Sequence, residues 1–208
     1  MIAIIDYDAG NIKSVEKALV SLGGEVVITR DPAVLKRADH VILPGVGSFG
    51  DCMEKLNRYE LVEVIKEVAA SGTPFLGICL GQQLLFEDSE ETPGVPGLGI
   101  LKGHVLRFDG DKGLKIPQIG WNFLTFCHDK RLFEGIEDGA YVYFVHSFYV
   151  KAEDETVVSA VSEYANTMHA SVAKGNIFAC QFHPEKSGRV GLQILKNFLS
   201  LKKEAPVC

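Results

Sequence analysis

The sequence predicts an α/β fold, and three observations carry that reading. Through roughly the first 90 residues, short β-branched runs alternate with helically spaced apolar residues, the pattern of β-α-β units built around a parallel sheet. Gly77-Ile78-Cys79-Leu80-Gly81 sets a cysteine between two glycines where a strand pattern gives way to a helical one. No repeat, low-complexity tract or Gly/Pro-rich linker divides the chain, so residues 1–208 read as one domain.

The elements follow in order. Ile2 to Asp6 is the first strand. Asn11 is a candidate cap for a helix whose Ile12, Val15, Ala18, Leu19 and Leu22 share one face, and Gly23-Gly24 stops it. Glu25 to Thr29 is the second strand, and Asp31-Pro32 opens a short helix before the buried strand His40 to Leu43. Pro44 to Gly50 lies beyond that strand, with Gly45-Val46-Gly47 as a glycine-rich loop. Leu61, Val64, Ile65, Val68 and Ala69 form the stripe of a further helix, closed by Ser71-Gly72. Thr73 to Ile78 is the central strand, and Leu80 to Phe86 returns to helix. Asp88 to Gly99, rich in acid, glycine and proline, reads as loop.

Beyond it the texture changes to short strands: His104–Phe108, Trp121–Phe126, Tyr141–Val145, Val157–Val161, and a hairpin of Ala170–Ala173 with Ile177–Phe182 turning at Gly175-Asn176. Ser187 is the expected cap of a terminal helix carrying Val190, Ile194, Leu195 and Phe198.

Composition narrows the function. With 47% hydrophobic and 23% charged residues, the chain can bury one substantial core. A net charge of -6 with scattered lysines and arginines excludes a phosphate-backbone partner. No apolar run approaches the ~20 residues of a membrane-spanning helix, and Met1 to Asp6 lacks the basic region and cleavage site of a signal peptide, so a cytoplasmic protein is expected. Cys52, Cys79, Cys127, Cys180 and Cys208 include no C-x-x-C pair; free thiols are expected, with no metal and no organic cofactor.

Cys79 has the setting of a nucleophile elbow. Both flanking glycines are needed because side chains there would collide with the neighbouring strand or helix, while the middle residue projects above the sheet. The helix N-terminus favours thiolate. The bland alternative is an inert core cysteine. A thiolate also needs a base, and Phe182-His183-Pro184-Glu185 supplies one: His183 emerges from a buried strand, and Glu185 is placed to hold its second nitrogen. His146 is the rival, but its segment offers no acid and leaves it a place in the pocket wall. Acyl transfer requires backbone donors for an oxyanion. The amide of Leu80 is one candidate, and the Gly45-Val46-Gly47 loop is the source of the second.

Pro44-Gly45-Val46-Gly47, Gly77-Ile78-Cys79-Leu80-Gly81-Gln82-Gln83 and Phe182-His183-Pro184-Glu185, in this order, resemble the triad-type (class I) glutamine amidotransferases across nearly the whole chain. Gly45 to Gly50, Gly120-Trp121-Asn122, Tyr143 to Ser147 and His183 to Ser187 further resemble the glutaminases that serve imidazole glycerol phosphate synthesis. The resemblance implies a three-layer fold with a mainly parallel central sheet. It also implies a reaction in which Cys79 attacks the side-chain amide of glutamine, ammonia leaves, and water hydrolyses the glutamyl thioester, with His183 serving as acid and then base.

By the same resemblance, Val46, Gly47 and Leu80 belong to the oxyanion hole. Gln83 and Glu91 contact bound glutamine, and the Ser147-Phe148 backbone holds its amino-acid end. Trp121, Asn122 and Tyr143 lie at the interface and ammonia passage to a partner, a separate (βα)8-barrel cyclase of histidine biosynthesis bound as a heterodimer. Turnover is then expected to stay low until that partner is bound and loaded. Gln82 stands where similar proteins often carry methionine, and Phe148 where they often carry tyrosine. Competing readings are a glutaminase for anthranilate or carbamoyl phosphate synthesis, a cysteine hydrolase of γ-glutamyl peptides, and a binding module that has lost the chemistry.

Overall fold

The computed structural model describes residues 1–8, 10–110 and 113–204; Cys208, one of the expected free thiols, lies outside the described residues. In chain order the elements are β1 (Ile2–Ile5), α1 (Ile12–Ser21), β2 (Val26–Thr29), α2 (Pro32–Arg37), β3 (His40–Leu43), α3 (Phe49–Arg58), α4 (Leu61–Ala70), β4 (Phe75–Ile78) and α5 (Leu80–Leu84). There follow β5 (Asp88–Ser89), β6 (Gly103–Arg107), β7 (Gln118–Phe123), β8 (Thr125–Phe126), β9 (Tyr141–His146), β10 (Phe148–Ala152), β11 (Val158–Tyr164), β12 (Asn166–Lys174), β13 (Ile177–Cys180) and α6 (Gly188–Ser200).

The central sheet has the order β2-β1-β3-β4-β13-β12-β11-β8. From β2 to β13 every pairing is parallel, and from β13 outward every pairing is antiparallel. The parallel strands are covered on both faces, which is why they read as unbroken apolar runs. Ala3 and Ile5 of β1 face a core with Leu35, Leu56 and Ile65 from α2, α3 and α4. Ile2 and Ile4 face the other, with Val15 and Leu19 of α1 and Ile194 and Phe198 of α6. Three layers result, each buried aliphatic side chain contributing ~2 kcal/mol of hydrophobic stabilisation. A second sheet, β10-β6-β5, and a two-stranded ribbon, β7-β9, stand beside the central one.

Several expectations are corrected. Helix α3 was not foreseen: Phe49, Cys52, Met53 and Leu56 are buried at helical spacing, and Ser48 caps it by accepting from the Asp51 N–H at 3.3 Å. Neither Asn11 nor Ser187 caps its helix with its side chain. Asn11 takes a left-handed conformation, φ 68°, and reaches across to Glu185. Ser187 Oγ instead donates to the His183 carbonyl at 2.7 Å and accepts from the Tyr143 N–H at 2.9 Å. The expected strand over Trp121–Phe126 is broken at Leu124, the one at Ala170 starts at Asn166, and β10 and the short β5 were not foreseen.

Candidate active site

Five parallel strands side by side bring the ends of β1, β3, β4 and β13 to one edge of the sheet. In such sheets the crevice beyond the carboxyl ends is where ligands bind. A cavity of about 330 Å³ lies there.

Cys79 follows β4 directly. Its backbone is φ 55°, ψ -112°, a region that costs a non-glycine residue about 1–3 kcal/mol, and its N–H is anchored to the Cys180 carbonyl at 2.7 Å. The glycines around it are explained by contact. A Cβ on Gly81 would sit 2.0 Å from the Leu43 carbonyl oxygen, and one on Gly45 would sit 2.7 Å from the Gly81 nitrogen. The loop after β3 is thereby stacked directly on the first turn of α5.

Two buried side chains set the course of that loop. Tyr7 donates its hydroxyl to the Pro44 carbonyl at 2.6 Å; burial, and then the nearby Cys52, push its pKa well up, so it remains a donor. Cys52 donates its thiol to the Val46 carbonyl at 3.7 Å. Because a trans peptide directs its C=O and N–H oppositely, the Gly47 N–H lies on the other side of that peptide from Cys52. Val46, Gly47 and Leu80 all line the cavity.

His183 enters from the loop after β13, its N–H held by the Tyr143 carbonyl at 2.9 Å. Its Nδ1 is 2.8 Å from Glu185 Oε1, and both side chains are almost wholly buried. Burial opposes the imidazolium charge, but the neighbouring Cys79 sulfur and Glu185 carboxylate outweigh it and raise the pKa to about 9. Cys79 and His183 line the same cavity, with Glu185 behind His183. The arrangement is a thiol and an imidazole on one cavity with a carboxylate behind the imidazole, the set that a nucleophile, a base and an orienting acid require.

The expected substrate residues converge on the same space: Gln83, Glu91, Ser147 and Phe148 all line it. Gln83 Nε2 donates to the Phe148 carbonyl at 3.1 Å and to Gln181 Oε1 at 2.9 Å. Glu91 Oε2 accepts from the Phe49 N–H at 2.7 Å, tying the cavity wall to the start of α3. His146 is in the wall, as its segment suggested. Its Nδ1 meets the Phe148 carbonyl at 2.7 Å, and burial lowers its pKa to about 4, so it is neutral and unsuited to the role expected of His183. Gln82, where similar sequences have methionine, is fully buried and donates to the His169 carbonyl at 2.9 Å.

The expected interface residues lie on the β7-β9 ribbon. Trp121 is paired with Tyr143, their rings 6.1 Å apart at 73°. Trp121 is 56% exposed and so is no core residue of this chain, and Ile119, Phe123 and Tyr141 extend the same apolar face. Asn122 alternates to the opposite side, where it donates to the Glu163 carbonyl at 2.9 Å. Lys186 lines the cavity and approaches the Tyr143 ring.

Sequence reasoning missed Tyr7, Asn11, Cys52 and Gln181. Of these only Cys52 carried a local signal, the spacing of its own helix. Among the described residues, Glu87, His104 and Glu153 are the one group of three that brings potential metal ligands within 4.8 Å, and none of them lines the cavity.

Known proteins resemble this chain in sequence and in fold. The family model described as "Glutamine amidotransferase class-I" matches residues 3–201. A protein of Geobacter metallireducens named imidazole glycerol phosphate synthase subunit HisH is 52% identical over 202 residues, covering 95% of this chain and 96% of the relative. One of the same name from Thermosynechococcus vestitus is 51% identical over 205 residues, covering 98% of each. In fold, the chain is similar to a crystal structure of a glutamine amidotransferase, with TM-score 0.74 and 21% identity, covering 96% of this chain and 97% of the other. It is similar also to a chain in the PurLQS structure from Thermotoga maritima, with TM-score 0.73 and 22% identity, covering 95% and 96%.

Proposed function

The chain belongs to the class-I glutamine amidotransferase family, and from that premise we propose that it hydrolyses glutamine to glutamate and ammonia as the glutaminase subunit of imidazole glycerol phosphate synthase. The whole chain acts as one glutaminase domain. The observation that carries the reading is the convergence of Cys79 and His183 on one cavity, with Glu185 holding the imidazole from behind.

Cys79 thiolate attacks the side-chain amide carbon of glutamine. The carbonyl oxygen becomes an oxyanion, stabilised by the N–H groups of Leu80 and of the Val46-Gly47 loop; one such donor is worth ~3 kcal/mol of barrier. His183, protonated at neutral pH, gives its proton to the leaving nitrogen as the C–N bond breaks. Ammonia departs and a γ-glutamyl thioester remains. Neutral His183 then takes a proton from water, which attacks the thioester, and the thiolate leaves as glutamate forms. Glu185 holds the imidazole in the tautomer that keeps Nε2 toward the sulfur. Gln83, Glu91 and the Ser147-Phe148 backbone hold the substrate.

The relatives are named as subunits. The partner proposed here is the cyclase subunit, a (βα)8 barrel, which consumes the ammonia in a heterodimer. The apolar face of Ile119, Trp121, Phe123 and Tyr141 supports this, because it is contiguous with the cavity wall through β9 and is of the kind that interface cores cover. No described helix is long and apolar enough to cross a membrane.

The test is release of ammonia and glutamate from glutamine by the purified chain, with and without the cyclase and its nucleotide substrate, alongside Cys79→Ala. The reading expects activity that needs Cys79 and rises with the loaded cyclase. Activity that survives Cys79→Ala rejects the nucleophile; Cys79-dependent activity indifferent to the cyclase rejects the partner.

A further inference from the structure

Three polar groups beside the nucleophile have their orientations set by one backbone carbonyl. The Phe148 oxygen accepts from His146 Nδ1 at 2.7 Å and from Gln83 Nε2 at 3.1 Å. A carbonyl can only accept, so this contact identifies the nitrogen end of the Gln83 amide. The same nitrogen donates its second hydrogen to Gln181 Oε1 at 2.9 Å. That identifies the oxygen end of Gln181, and its Nε2 must therefore face the other way. It lies 3.7 Å from Cys79 Sγ.

Gln181 is 1% exposed and follows β13 directly, with its backbone N–H tied to the Ala170 carbonyl at 2.9 Å. Residues two apart in extended chain project to the same side, so the segment that carries His183 to the sulfur carries Gln181 there as well. The helix after Cys79 spans only Leu80–Leu84. Its few aligned peptides leave room for a further donor to the sulfur.

We propose that Gln181 is a positioning residue for the nucleophile: its carboxamide donates to the Cys79 thiolate and holds the sulfur in line for attack, while Gln83 locks the carboxamide in the donating orientation. The proposal rests on the assignment of Cys79 as nucleophile. It also gives Gln83 a second role. With both its N–H groups engaged and no donor among the described residues on Oε1, Gln83 presents an acceptor to the cavity, matched to an N–H of the substrate. Filling the substrate site and orienting the nucleophile thus share one amide.

Two variants separate this from a packing role. Gln181→Met keeps length and bulk and removes the donor. Gln181→Glu keeps an oxygen for the Gln83 bond but turns a carboxylate toward the sulfur. The measurement is the rate of Cys79 alkylation by iodoacetamide in the full chain, across pH, with Cys79→Ala to subtract other thiols and circular dichroism to confirm folding.

The Met variant is expected to alkylate about tenfold more slowly on the acid side of the profile, the worth of one hydrogen bond to an ion. The Glu variant is expected to be slower still, and kcat for glutamine should fall in the same order with KM changed less. A packing role predicts the reverse order, since Glu preserves the Gln83 contact. Wild-type alkylation by Gln181→Met, or a Glu variant faster than the Met variant, overturns the proposal. If Gln181→Glu does not fold, the Met variant decides alone. Glutaminase activity that persists in Cys79→Ala would instead overturn the nucleophile assignment on which the proposal stands.

Discussion

Asn11 Nδ2 lies 3.1 Å from the same Glu185 oxygen that His183 Nδ1 meets at 2.8 Å. The carboxylate therefore has two donors on Oε1, while its Oε2 is buried with no partner among the described residues. Two donors on one oxygen fix the rotation of the carboxylate, and so the plane of the imidazole.

Asn11→Gly is expected to reduce kcat about tenfold, the loss of one charge-assisted hydrogen bond, with little change in KM. Glycine is the informative replacement because the backbone is left-handed at this position and glycine accepts that conformation without strain. Steady-state glutaminase kinetics check it, and an unchanged kcat would remove Asn11 from the orienting chain.

The protonation of His183 has a sign that can be worked out. Its pKa in the fold, about 9, lies above the ordinary ~6.5, so the stability it contributes is fully present below pH ~6.5 and is lost as pH rises through about 9. Glu185→Gln removes one of the groups that hold the pKa up. The stability difference between wild type and Glu185→Gln is expected to be largest below pH 6.5 and to narrow toward pH 9, in denaturant melts taken along that range. Glutaminase turnover of the variant should fall ~10²- to 10⁴-fold.

His146 and His169 behave in the opposite sense. Burial lowers both to about 4; the imidazolium of His183 adds to the effect at His146, and Lys151 adds to it at His169. Depressed below ~6.5, they contribute stability that is complete above that pH and lost as pH falls toward 4. Acid unfolding should therefore begin near pH 6, and His169→Gln should make the melting temperature less sensitive to pH between 6 and 4. An unaltered pH dependence in that variant would exclude His169 as a source of the acid sensitivity.

Trp121→Ala is expected to weaken association with the cyclase by about 30-fold or more, the size of an aromatic anchor's loss, while the far-ultraviolet spectrum of the chain is preserved. Titration calorimetry checks it. Equal affinity would move the interface off the ribbon.

Much of the fold was legible because parallel strands buried on two faces and amphipathic helices write their periods into the chain. The failures are of two kinds. Helix α3 had its signal, Phe49, Cys52, Met53 and Leu56 at helical spacing, but Gly47 and Gly50 on either side of its cap obscured it. Asn11 and Ser187 were suitable caps by residue type; each found a stronger tertiary partner, and nothing local announces Glu185 to Asn11 across 174 positions. The three residues proposed as the triad were readable since they sit in two short motifs. Gln181 was not, because a polar residue at a strand end does not disclose a sulfur 102 positions away.

The stacking of Gly45, Gly77 and Gly81 has a consequence for how variants of this chain are surveyed. A Cβ at any of them would lie 2.0–2.7 Å from backbone atoms that cannot retreat. In a saturation screen scored on growth, these positions will be as intolerant as Cys79, though no bond is made or broken on them. Screens scored on soluble yield would separate the two groups: the glycines would vanish from the soluble fraction, whereas dead but folded Cys79 variants would remain in it.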